Sequence, residues 1–150
     1  MRYEIVQILT GFIGAFCFGI LFNLKGKRLL AGAIGGLLSW GIFIILSQFI
    51  SSEALNYFIV SVSISIYAEI VAKQVKTPTT PIITTALIPL IPGGSLYYTV
   101  ASAFDSSFGV FSQKAIYTLK LATSLALGMI LVLAVWRFLG ARGQDLRKKH

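Results

Sequence analysis

The chain is poor in the residues that proteins use for acid–base and metal chemistry. Its 150 positions hold five acidic residues, one cysteine and one histidine, and the histidine is the last residue, His150. Metal ligation by cysteine and histidine is excluded by count alone. Cys17 lies in an apolar run, has no second cysteine to pair with, and reads as a small core residue. Phe16 before it does not fit a lipoprotein cleavage site. No second acid accompanies Glu69 inside an apolar segment, and nothing pairs a particular serine with Lys120. The expectation is no enzyme activity, no catalytic residue, no cofactor and no metal.

Charge is scarce as well. Charged residues make up 12% of the chain against about 25% in an ordinary soluble domain. With 56% hydrophobic residues and a mean hydropathy of +0.83, this composition is that of an integral membrane protein. The net charge of +8 sits in short clusters between apolar segments, as basic flanks of membrane spans do, so nucleic-acid binding is not expected. A cleaved signal is not expected either. Arg2 is offset by Glu4, while Lys25, Lys27 and Arg28 follow the first apolar run, the wrong order for a signal peptide.

What is present is a series of five apolar segments, about 5–24, 29–50, 54–72, 82–104 and 115–139, each near the ~20 residues that a helical span needs. The expected fold is therefore all-α, one five-helix transmembrane domain over 1–150. Gly11, Ala15 and Gly19 recur every four residues in the first segment, and Gly32 and Gly36 form a GxxxG pair in the second. Small faces of this kind let helices approach closely, although glycine is also simply frequent in membrane helices. In the third segment Tyr57, Ser61, Ser65 and Glu69 follow at intervals of four and form one polar stripe, which should face protein or water. Glu69 has two readings. It is a carboxylate inside a span, hence a candidate for ion coupling, or it is the i,i+4 ion-pair partner of Lys73 near the segment's end.

Orientation follows from the basic residues. The link after segment one carries Lys25, Lys27 and Arg28; the link after segment three carries Lys73 and Lys76; the tail carries Arg137, Arg142, Arg147, Lys148 and Lys149. All fall on one side if segment four crosses fully, so the N-terminus is expected outside and the C-terminus in the cytoplasm.

The fourth segment carries the most informative stretch, Ile88-Pro-Leu-Ile-Pro-Gly-Gly-Ser95. Pro89 and Pro92 each remove a backbone donor and clash with the preceding turn, so the helix is expected to break over Pro89–Gly94. The carbonyls of Thr85 and Ile88, four residues before each proline, are expected to lack helical partners. Pro92 suits the first turn of a new helix, and Thr80 with Pro81 suits the start of the segment. Such a break near the midplane exposes N–H groups that can hold a carboxylate and carbonyls that can hold an ammonium or hydroxyl. The candidate substrate-binding residues are Thr85, Ile88, Pro89, Pro92, Gly93, Gly94, Ser95 and Tyr98. The plainer alternative is a proline kink that only shapes packing.

Two stretches resemble a known family. Gly14 to Asn23, GAFCFGILFN, is similar to the first-helix motif of the threonine/serine exporter (ThrE) family, and Ala86 to Tyr98, ALIPLIPGGSLYY, to its proline–glycine signature. The order and lengths of the segments resemble the family's C-terminal membrane half, which also exists as a separate small subunit of the YjjB-like type. The resemblance implies secondary export of threonine, serine or related small carboxylates such as succinate, driven by an ion gradient such as that of protons, as an antiporter would use. It also implies a location in the bacterial inner membrane. The implied partner is a larger subunit with a soluble domain and five more membrane helices; self-association is the alternative. A module with an odd number of spans can join one of opposite orientation to give the inverted repeats of many transporters. A non-transporting scaffold that stabilises a partner is the competing expectation.

Overall fold

The computed structural model describes residues 2–105 and 108–147, with side chains described for 4–104 and 108–139. The helices are α1 (Arg2–Leu21), α2 (Lys27–Phe49), α3 (Glu53–Gln74), α4 (Thr79–Leu87), α5 (Gly93–Asp105) and α6 (Phe108–Arg147), with a 3-10 turn over Ile88–Leu90 between α4 and α5. No strand occurs among the described residues. Four helices are long and apolar enough to cross a membrane. A fifth crossing is made if Thr79–Leu90 and Gly93–Phe104, which meet at 59°, form one bent span. The all-helical membrane fold with a broken fourth segment is thus what the chain adopts.

α2 lies at the centre, packed on α1, α3, α4 and the 3-10 turn, while α6 packs on α3 and α5. The core is shared by Val60, Ile64 and Ala68 of α3, Ile82, Ile83, Ala86 and Leu87 of α4, and Leu90, Ala31 and Leu121. The links after α1 and α3 begin with the same backbone closure. After α1, Leu24 N–H reaches Gly19 O and Asn23 N–H reaches Ile20 O, with Asn23 at φ 58°. After α3, Thr77 N–H reaches Ala72 O and Lys76 N–H reaches Lys73 O, with Lys76 at φ 51°. These left-handed residues satisfy carbonyls that the helix ends leave open. Arg28 Nη2 then donates to Lys76 O at 3.0 Å and ties the two links together.

Two boundaries differ from expectation. α4 begins at Thr79 behind Pro78, without a side-chain cap, so Thr80 lies inside the helix and Pro81 at its third position. Proline is tolerated there because the N–H groups of a first turn have no intrahelical partner. α6 begins at Phe108, seven residues before the expected 115, and takes in Lys114, which reads in sequence as a link residue. It also runs through Arg147, so the expected tail from Arg137 to Arg147 is helical. Its 40 residues are about 60 Å long, twice the hydrocarbon core. A turn is expected from Asp105 to Gly109; its Ser106 and Ser107 lie outside the described residues, as do Lys148, Lys149 and His150.

The close approach of the helices depends on missing side chains. A Cβ at Gly36 would collide with the Ala15 methyl and stand 2.8 Å from Gly11 O, and one at Gly11 would strike Trp40. A Cβ at Gly35 would stand 2.5 Å from that of Ala86, and one at Gly128 would run into Ser61. Gly41, in contrast, faces open space. Gly36→Val should therefore destabilise the detergent-solubilised protein by about 1–3 kcal/mol, as overpacking does. Gly41→Ala should be neutral or slightly stabilising. Thermal unfolding of the two variants side by side checks this.

Candidate functional site

The break is built from its two prolines. Pro89 withholds the N–H that a continuous helix would bring to Thr85 O, and Pro92 withholds the one due to Ile88 O. The expectation of an unpartnered Ile88 carbonyl is corrected here, because Ile91 N–H swings back to it at 3.1 Å and closes the 3-10 turn. Pro92 stands one position outside α5 and accepts from Leu96 N–H at 3.0 Å, so it caps the helix instead of forming its first turn. Gly93 N–H turns to Ile91 O. The next two N–H groups, of Gly94 and Ser95, have no partner among the described residues.

The two halves of the bent span have different surroundings. α4 is held on three sides by α1, α2 and α3. Thr85, fully buried, places its methyl 2.9 Å from where a Cβ would stand at Gly32 and 3.5 Å from the same point at Gly19. Its hydroxyl donates to Pro81 O at 2.7 Å. Pro89 touches α1 beside Gly14. α5 instead leans on α6, pinned by a 2.9 Å bond between the Thr99 and Thr118 hydroxyls. Gly93 and Gly94 face open space, and Tyr97 and Tyr98 are largely exposed.

The candidate residues thus fall into two groups. Thr85, Ile88 and Pro89 belong to the seam with α1 and α2. Ser95 and Tyr98 line a groove of about 230 Å³ with Lys114, Tyr117 and Thr118 of α6. At the groove's edge the Tyr117 hydroxyl donates to Glu53 Oε2, at the start of α3. Sequence reasoning did not include Lys114, Tyr117 and Thr118, although they stand at i, i+3 and i+4 on one helical face. The signal was there once α6 is started at Phe108.

The polar stripe of α3 faces protein along its whole length. Tyr57, Ser61, Ser65 and Glu69 are all buried. Ser61 meets Gly128 of α6, and the Tyr57 ring meets Phe43 of α2 edge-on at 5.2 Å. Among the described residues Ser65 Oγ has no hydrogen-bond partner. Glu69 makes no hydrogen bond or ion pair among the described residues. Lys73, its expected ion-pair partner, sets its ammonium 4.6 Å from the centre of the Trp136 ring instead, which joins α3 to α6.

The family model described as "Threonine/Serine exporter, ThrE" matches residues 7–135, most of the chain. The chain belongs to that family. No curated protein and no solved structure matches it. As a member of the ThrE family with several membrane-spanning helices, it is a multi-pass membrane protein and a component of a threonine/serine exporter. In this exporter component the glycine seam and the groove make different demands. Thr85→Val keeps the methyl that fills the Gly19–Gly32 hollow and loses one hydroxyl bond, so it should cost under ~1.5 kcal/mol. Gly32→Val should cost more, about 1–3 kcal/mol, because backbone and Thr85 must both move. Comparing unfolding midpoints of the two variants tests the assignment of Thr85 to packing.

Proposed function

We propose that this chain is one subunit of a secondary exporter of threonine, serine and related small amino acids. It works with a larger family subunit in the bacterial inner membrane, with its N-terminus outside and its C-terminus in the cytoplasm. The observation that carries the reading is the bent span, whose inner half is clamped while its outer half opens with two unbonded N–H groups, at Gly94 and Ser95. In hydrocarbon each such group costs several kcal/mol, so this surface must meet water, protein or substrate. A substrate carboxylate satisfies those donors together with the positive end of α5.

In this reading the substrate passes over Pro89, Pro92, Gly93, Gly94, Ser95 and Tyr98, with the backbone of Thr85 and Ile88 closing the inner side. Glu69 is the coupling group. It is buried, 8% exposed, on a helix that crosses the membrane, and Lys73 is committed to Trp136. A carboxylate buried in a span with no ion-pair partner among the described residues is the kind of group that coupling to an ion needs.

Counterflow in proteoliposomes tests the reading, with labelled threonine, serine and succinate and the chain alone or with the larger subunit. Exchange of threonine and serine only with the partner is expected. A stable complex without exchange would instead leave a non-transporting scaffold. Ser95→Ala should change the preference among labels while the complex persists. Glu69→Gln should retain counterflow, which needs no net proton movement, and lose accumulation driven by a pH gradient. Loss of both together would remove Glu69 from coupling.

A further inference from the structure

We propose that the cleft between α3 and α6 is a lipid site. It takes one acyl chain of an anionic phospholipid along its apolar wall and holds the headgroup phosphate at Lys73. The proposal is independent of what the exporter carries.

The cleft, of about 220 Å³, is lined by Val62 and Ile66 of α3 and by side chains of α6 from Leu131 to Leu139. Val132 is buried, while Ile66, Leu131, Val135 and Leu139 are between 41% and 59% exposed. Among the lining side chains the Trp136 indole N–H is the one hydrogen-bond donor.

The two ends of the cleft decide what fits. Beside Val62 the helices close up, because Ser61 stands where a Cβ at Gly128 would be. At the other end Lys73 sets its ammonium 4.6 Å from the centre of the Trp136 ring. From Val62 to Lys73 α3 rises ~16 Å, which is half of a bilayer's ~30 Å hydrocarbon core. The cleft is therefore as deep as one leaflet. A membrane helix of another chain would need a seam running through both leaflets, whereas an acyl chain needs one leaflet and a polar rim for its headgroup.

The rim supplies a cation without an anion. Lys73 is exposed and forms no ion pair among the described residues. Glu69, one turn earlier, is buried and does not line the cleft. Lys73 lies one residue before the end of α3, and the link that follows is tied by Arg28 to the link that carries Lys25 and Lys27. Cations thus gather at this end of the bundle. The ring covers one side of the Lys73 ammonium, and its other N–H groups are left for phosphate oxygens. A zwitterionic headgroup brings its own ammonium to this rim and a headgroup of net negative charge does not, so the site selects anionic lipid. A lysine at a membrane surface is worth about fivefold in such a preference. Arg137 does not share the site. It lines a separate cavity with Ile130, Leu133 and Ala134, on another face of α6.

The test is quenching of tryptophan fluorescence by lipids brominated in the acyl chain. Trp136 is one of two tryptophans, so the full chain with Trp40→Phe, reconstituted in liposomes, reports from the cleft alone. Brominated phosphatidylglycerol should occupy the position beside Trp136 about fivefold better than brominated phosphatidylcholine. Lys73→Gln should abolish the preference, and Lys73→Arg and Arg137→Gln should keep it. Equal quenching by the two lipids would mean ordinary bilayer contact and overturns the proposal. A loss of preference in Arg137→Gln as large as in Lys73→Gln also overturns it, since the attraction would then belong to a diffuse basic surface. So does quenching by neither lipid, which would mean that a second copy or another protein covers the cleft. Native mass spectrometry needs no tryptophan variant. The chain with both tryptophans, released from an equal mixture of the two lipids, should retain phosphatidylglycerol in excess and lose that excess in Lys73→Gln; equal retention in the unsubstituted chain overturns the proposal.

Discussion

A half-helix of nine residues is at best marginal by itself in water, and it holds its place because its neighbours leave it a seat. Thr85 and Ala86 press into hollows where Gly19, Gly32 and Gly35 have no side chains. In lipid there is little hydrophobic drive between helices, so close van der Waals packing and satisfied backbone do most of the work. The small faces of α1 and α2 supply the first, and the 3-10 turn with its Ile91 to Ile88 bond supplies much of the second. Remove the hollows and α4 has no reason to stay beside α2. The break between the prolines would then have nothing to hold its inner end.

The same seam explains why the two halves of the span behave as separate bodies of packing. α4 shares the buried cluster with α2 and α3 through Ile82, Ile83, Ala86 and Leu87. α5 has Thr99 and Ser102 buried against α6 and most of its other side chains exposed. A bend of 59° directs α5 away from the seat of α4. The bend thus turns one apolar segment into an anchor and an arm, and only the arm carries hydroxyls into a groove.

Much of this was legible in the sequence, for physical reasons that can be named. Apolar length marks the helices, since in lipid the backbone has no other way to satisfy itself except in a closed barrel. Proline marks the break, because past the first turn of a helix it removes a donor and clashes with the preceding turn. The spacing of Tyr57, Ser61, Ser65 and Glu69 marks the buried stripe. The less legible features depend on pairing between segments. Nothing in the residues around Ile91 says that its N–H will turn back to Ile88. Lys114 looks like a link residue because a charge ends an apolar count, yet a lysine at a helix's outer end keeps its ammonium in the polar zone without ending the helix. Lys73 looks like a partner for Glu69 at i,i+4, and the ring of Trp136, 63 positions away, takes it instead.

That exchange of partners has a consequence for the whole span of α3. With Lys73 over Trp136, the C-terminal end of α3 is fastened to α6 by a cation on a ring, and its N-terminal end by Glu53 on the Tyr117 hydroxyl. Between these fastenings the stripe holds Ser61 against Gly128, then Ser65 and Glu69 with no bonds among the described residues. A structure that needed these groups only for packing would have been better served by alanine and leucine, because each buried polar group without a partner costs about 1–3 kcal/mol. Helices that are pinned at both ends and unsatisfied in the middle have stability to spare at the ends and a defined place to lose it. In the exporter reading proposed above, that cost is offset when a partner from outside the chain reaches these groups.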